Sequence, residues 1–170
     1  MEYDWLKPEI AKERLIETSL FLMSFHLLKS SIIEGVRDFF IVGFNEDKYT
    51  ISEDYEESVL SKSKHKFDAS LLWLKSVDAI DDNDIKEIQN LREIRNQLAH
   101  DIPQIVFNDS EAFDKSLIEK VRYYLRKIDN FWGQIDVDIN ADIDHSKVDY
   151  DNIVSIRSLI LDYISQIVQK

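Results

Sequence analysis

Apolar residues recur at helical spacing along almost the whole chain, and the breaks between those runs predict five helices. Pro8 suits the first turn of a helix, where its missing N–H costs nothing, and no further proline follows before about Phe40. On a helical projection Phe21, Phe25, Leu28, Ile32, Val36 and Phe39 share one face, while Leu20, Met23 and Leu27 form a second, narrower strip. A helix apolar on two sides has neighbours on two sides: the core on one, with room for a partner subunit on the other.

Gly43, Asn45, Glu46 and Asp47 read as the first connection. Ser52, followed by Glu53, Asp54, Glu56 and Glu57, predicts the start of a second helix with Leu60, Phe67, Leu71 and Leu74 inside. Lys62 to Lys66 falls in its middle or at a short break. Asp81, Asp82, Asn83 and Asp84 cap a third helix carrying Ile88, Leu91, Ile94 and Leu98, which should end near His100 or Asp101 because Pro103 disfavours helical geometry at Ile102. Asn108, Asp109 and Ser110 offer the next cap. The stripe behind it is the most regular in the chain: Phe113, Leu117, Val121, Tyr124, Ile128, Phe131, Trp132 and Ile135.

Residues 135–144 alternate apolar and polar, the period of a strand, and predict a short extended acidic segment. Asp149 or Asp151 would cap a last helix with Val154, Ile160, Ile164 and Ile167 inside. The expected fold is therefore all-α: an up-and-down bundle of about five helices, one domain over residues 1–170. No internal repeat or low-complexity linker divides it.

Composition narrows the picture. Glycine and proline number only 3 and 2, too few for the many tight turns of a sandwich or barrel. The absence of cysteine excludes disulfides, thiol chemistry and Cys-ligated zinc. Four scattered histidines, with no His-x3-His pair, supply no strong metal site. The formal charge of −12 repels duplex DNA, so sequence-specific DNA binding is disfavoured unless positive charge is locally concentrated. Met1 is followed by Glu2 and Asp4 rather than a basic leader, and the apolar stretch from Leu20 to Phe25 is soon interrupted by His26 and Lys29. These features point to a cytoplasmic protein without a membrane span.

Four features carry candidate chemistry. Asp136, Asp138, Asn140 and Asp142 have calcium-loop spacing, but Ala141 and Lys147 stand where that loop needs Gly and Glu, so a solvated acidic connection is expected. Positive charge gathers at Lys62, Lys64 and Lys66, and again at Lys115, Arg122 and Arg126 on the fourth helix; Glu119 in that strip offers intrahelical pairing. Lys62, Lys64, Lys66, Arg122 and Arg126 are candidates for contact with RNA phosphates. Lys29 projects into the apolar arc of the first helix between Phe25 and Ile32, as a snorkelling lysine or as a buried anion anchor. Arg95 projects between Leu91 and Ile88, a position that demands a carboxylate or an anionic ligand. Asn96 and His100 follow on an adjoining face, one turn apart. Arg95 and His100 stand about 140° apart, so they meet only if the last turn unwinds or a second subunit supplies its own copy. A buried Arg–Asp tie with a histidine capping terminal carbonyls is the plain structural alternative.

Arg95-Asn96-x-x-x-His100, late on a helix of an all-α chain, resembles the signature of the HEPN superfamily. Ala99-His100 and Val106-Phe107-Asn108-Asp109 are similar to its mannitol-operon-regulator-like branch. The likeness is sharp over about residues 85–110 and architectural elsewhere. Nucleotidyl-transfer systems of the superfamily often carry Tyr two residues after the His; Ile102 stands there, which argues against AMP-accepting toxin chemistry.

The resemblance implies a helical bundle that forms a homodimer and sets two Arg/His motifs in one cleft. It implies RNA cleavage with no metal or cofactor: His100 moves the proton of the ribose 2′-hydroxyl or of the leaving oxygen, Arg95 holds the phosphate and Asn96 orients either group. The product would carry a cyclic 2′,3′-phosphate. A toxin or phage-defence endoribonuclease is the first functional expectation. A catalytically silent regulatory or interaction module, with a cognate protein partner, is the alternative. A sensor with Arg95 and Lys29 as anion anchors is a third.

Overall fold

A computed structural model describes residues 7–45, 48–107 and 113–168, and one long helix organises it. That helix, α1 (Pro8–Phe39), begins on its proline as expected. Phe21, Phe25, Leu28, Ile32 and Val36 are fully or almost fully buried, whereas Phe39 at the helix end is half exposed. Length and composition alone would let α1 cross a bilayer, which corrects the expectation drawn from its short apolar core. Its apolar face instead packs against other helices of the chain.

After α1 come a hairpin of β1 (Ile41–Asn45) and β2 (Lys48–Ile51), α2 (Asp54–Ser58), a 3-10 turn at Leu60–Lys62, α3 (Lys66–Ser76) and α4 (Asp82–His100). Then follow α5 (Ile102–Phe107), α6 (Ser116–Ile139), 3-10 turns at His145–Lys147 and Tyr150–Asn152, and α7 (Ile156–Val168). α3, α4, α5, α6 and α7 all contact α1. One continuous cluster of buried side chains draws on α1 to α4, α6 and α7. The chain is a helical bundle, with a small sheet that the sequence reading lacks.

The departures have physical causes. Gly43 and Asn45, read as connection, lie in β1, which pairs antiparallel with β2; Glu46 and Asp47 fall outside the described residues. The flanking Ile41, Val42, Phe44, Tyr49 and Ile51 are β-branched, aromatic or both kinds alternating, which suits a pleated ribbon. The expected second helix is split: Val59 is buried, Leu60 starts a 3-10 turn, and α3 restarts at Lys66, so the lysine run marks the short break. Pro103 ends α4 where expected, at His100, but the chain turns at once into α5, with Pro103 in the first turn, where its missing N–H is harmless. The cap expected at Asn108, Asp109 and Ser110 lies outside the described residues.

The extended segment is corrected as well. Residues 135–139 continue α6, because Ile135 and Ile139 keep helical spacing and line a groove with Phe39, Ile153 and Val154. Tertiary contact overrides a period-two pattern here. At Asn140 the helix ends, and the Asn140 side chain accepts from the Asp142 N–H. The last helix is capped by neither Asp149 nor Asp151. Ser155 does it, accepting from the Ser158 N–H at 3.0 Å.

α7 runs antiparallel to α1. Arg157 meets Glu34 at 3.4 Å, while Lys115 ties Glu17 at 3.0 Å to the Val168 carbonyl at 2.8 Å. Its buried face is Ser158, Leu161, Ile164, Ser165 and Val168. Of the four residues expected inside, only Ile164 is buried; Val154, Ile160 and Ile167 are exposed. The serines face inward because carboxyls wait for them: Ser158 bonds Asp129 and Ser165 bonds Glu119.

Gly35 of α1 lies against Trp132 of α6. A Cβ there would lie 2.5 Å from Trp132 Nε1, and that indole is stacked on Trp73 at 6.0 Å. Alanine gains roughly 1 kcal/mol of helix propensity over glycine, but overpacking costs about 1–3 kcal/mol. Gly35→Ala should therefore lower the urea midpoint and shift the tryptophan emission; a raised midpoint would show that the indole moves freely.

Candidate functional site

The C-terminal half of α4 carries the motif. A capping box fixes the start of this helix: Asp81 accepts from the Asp84 N–H and Asp84 from the Asp81 N–H, both at 2.8 Å. Asp84, 4% exposed, also receives Lys127 Nζ of α6 at 2.5 Å. That hydrogen bond raises the Lys127 pKa despite the desolvation that opposes it. Ile88 and Leu91 are buried, so the helix is anchored along its first three turns.

Arg95 does not enter the core as its position in the apolar arc predicts; it is exposed, and its guanidinium donates to Asn96 Oδ1 at 3.1 Å. The Arg–Asp tie expected as the plain alternative exists, but at Arg92. That side chain donates to Asp68 Oδ1 at 2.9 Å and Gln89 Oε1 at 3.2 Å and lies 5.4 Å over the Phe67 ring. Helix periodicity places Arg92 toward α3; only the packing of α3 reveals Asp68 as its partner, so the sequence reading missed it.

Arg95 and Asn96 open onto a small cavity of about 80 Å³ shared with Phe25, Lys29, Phe67 and Arg92. Lys29 is thus on the surface beside the core, not buried in it, and it makes no ion pair or hydrogen bond among the described residues. His100 is exposed and does not line the cavity. Because α4 stays helical through His100, the last turn does not unwind, and within one chain Arg95 and His100 point about 140° apart.

The other basic candidates divide into two groups. Lys62, Lys64 and Lys66 are exposed at the break before α3, next in sequence to Phe67 of the cavity. Arg122 and Arg126 are engaged: Asp162 of α7 receives both at 2.6 Å, and Glu119 receives Arg122 at 3.0 Å. Burial alone would push the Asp162 pKa up, but the hydrogen bonds from the two arginines overcome it and hold the carboxyl below the usual range.

A carboxyl with a depressed native pKa stabilises the fold above the ordinary carboxylate range, and that stabilisation is lost as pH falls through the depressed value. Asp162→Asn should therefore be less stable than the parent at pH 7, with the difference shrinking as the pH falls below the ordinary carboxylate value of about 4. Urea midpoints of parent and variant followed from pH 7 down into the acid range read this directly. A constant difference would mean that the pair contributes through packing alone.

Among the described residues no group of three or more His, Asp or Glu side chains is placed to hold a metal ion, the acidic segment after Ile135 included. At the end of α4, Arg95 and the Asn96 amide offer donors, and the His100 imidazole has no partner among the described residues, chemistry suited to an anion and a proton. Comparison of the chain with protein-family models, characterised proteins and solved structures finds no match.

Proposed function

We propose that the protein is a HEPN-like, metal-independent endoribonuclease that works as a homodimer. The observation that carries the reading is the grouping of Arg95, Asn96 and His100 on the exposed end of α4, with Arg95 and Asn96 beside a cation-lined cavity. In this reading Arg95 holds the scissile phosphate and stabilises charge developing on it. His100 takes the 2′-hydroxyl proton or gives one to the departing 5′-oxygen, and Asn96 orients the phosphate or the imidazole. Because Arg95 and His100 diverge on one helix, this reading takes the pair from two copies, each contributing one member. Lys62, Lys64 and Lys66 supply the local positive charge that a chain of net charge −12 needs to hold RNA. Cytoplasmic expression should be toxic to the host, as for a toxin or defence nuclease.

The test is incubation of purified protein with end-labelled single-stranded RNA in excess chelator. Products ending in cyclic 2′,3′-phosphate support the reading; an inert wild-type dimer overturns it. The second reading, a silent interaction module, is favoured by one observation. Ile156, Leu159, Ile160, Tyr163 and Ile167 form an exposed apolar seam on α7, and Ile16 and Met23 are exposed on α1, against which α7 packs. On α1 those two residues lie about 120–140° away from Lys29, so a partner seated there leaves the cavity open.

A further inference from the structure

We propose that the cavity between α1, α3 and α4 is a binding site for one terminal phosphate group, as in inorganic phosphate or a phosphate monoester. The inference shares Arg95 and Asn96 with the nuclease reading but needs no cleavage and no second copy.

The cavity is lined by Lys29, Arg92, Arg95, Asn96 and two phenylalanines, and by none of the 33 acidic residues of the chain. In a protein of net charge −12 the cavity gathers three cationic side chains, of which Arg92 alone is paired with a carboxylate, that of Asp68. The free hydrogen-bonding groups are mainly donors. Lys29 has three N–H groups and no partner among the described residues. Arg92 uses its Nη1 on Asp68 and Gln89, which leaves Nε and Nη2 unclaimed. Arg95 donates one bond to Asn96 Oδ1, the only side-chain acceptor lining the cavity, which keeps one lone pair beside the Asn96 amide N–H groups. Three cations and a majority of donors favour a ligand that is an anion and accepts hydrogen bonds.

Size and geometry narrow the class. About 80 Å³ is far below the ~300 Å³ lower end of drug-sized ligand pockets and suits a single tetrahedral oxyanion. The donors arrive from separate directions, Lys29 from α1 and the two arginines from successive turns of α4, which suits three or four oxygens better than a planar carboxylate. Phe25 and Phe67 are 2% and 5% exposed, so they floor the cavity and offer no platform for a base. Recognition is therefore of the phosphate, and whatever it esterifies stays outside.

The experiment is 31P line broadening and thermal shift on the full chain with inorganic phosphate, AMP, adenosine and acetate as probes. Phosphate and AMP should bind with affinities within about threefold of each other, and adenosine and acetate should not bind. Exposed Lys29→Met, which keeps the stem, should weaken phosphate at least about tenfold while leaving the melting temperature of the free protein unchanged. His100→Ala should bind phosphate as the parent does. No phosphate response in the parent, equal binding by Lys29→Met, an equal response to acetate, or binding of AMP without inorganic phosphate each overturns the proposal. Phosphate binding without RNA cleavage would leave this site standing and remove the nuclease reading; cleavage without phosphate binding would do the reverse.

Discussion

Arg95→Ala and His100→Ala proteins, each inactive alone, should regain RNA cleavage when mixed. Each substitution removes one side of the proposed chemistry, so each alone should lose about 10²- to 10⁴-fold in rate. The mixture behaves differently because of helix geometry. α4 is unbroken from Asp82 to His100, and residues five apart on it diverge by about 140°. If two copies meet across a twofold axis, each site takes Arg95 from one chain and His100 from the other. A heterodimer of the two variants then holds one site with both residues mutated and one site fully native. With half the dimers heterologous and one of two sites intact in each, recovery should approach about a quarter of wild-type activity. Subunit exchange is checked by mass spectrometry before the assay. A mixture that exchanges but stays inactive would mean that Arg95 and His100 do not act across copies. Both side chains are exposed, so the variants should fold as the parent does.

Asp129→Ala should be the most destabilising single change considered. The Asp129 carboxyl, 4% exposed, accepts from Ser31 of α1 at 2.6 Å, from Ser158 of α7 at 3.0 Å and from Ser155, the residue that caps α7. One side chain of α6 thus joins three segments far apart in sequence. Alanine would strip the acceptor from two fully buried hydroxyls and from the cap, and an orphaned buried polar group costs about 1–3 kcal/mol. A total loss of roughly 3–5 kcal/mol, as for a broken buried network, is expected, with a fall in Tm on the order of 10 °C for a chain of this size. Asp129→Asn keeps the shape and one carbonyl acceptor, so it should lose distinctly less. Equal losses would assign the effect to volume, and no loss would mean that the serines find other partners.

The contrast between α4 and α7 shows why some of this was readable along the chain. Asp81 to Asp84 before an apolar run is a local code for a helix start, and it holds because both halves of the capping box lie within four residues. The stop before Pro103 is local in the same way. α7 has a clear helical period, yet Ile160 and Ile167 point outward while Ser158 and Ser165 point inward. Hydrophobicity alone favours the opposite assignment; the serines are buried because Asp129 and Glu119 on α6 supply acceptors. Arg122 and Arg126 look free on a projection of α6 and are held by Asp162, some forty residues further on.

Local patterning was sufficient to specify an α-helical bundle, the starts of α1 and α4, the end of α4, the buried face of α1 and the motif Arg95-Asn96-x-x-x-His100. These depend on neighbours within a turn or two, where spacing dictates which side chains share a face. The hairpin after α1, the split before α3, the continuation of α6 through Ile139 and the facing of α7 depend on which helix packs against which. So does the company kept by Arg95: no local rule places Lys29, 66 residues earlier in the chain, beside it. Long-range packing sets the partners of a charge, and its partners decide whether that charge is a tie within the fold or an open site for a ligand.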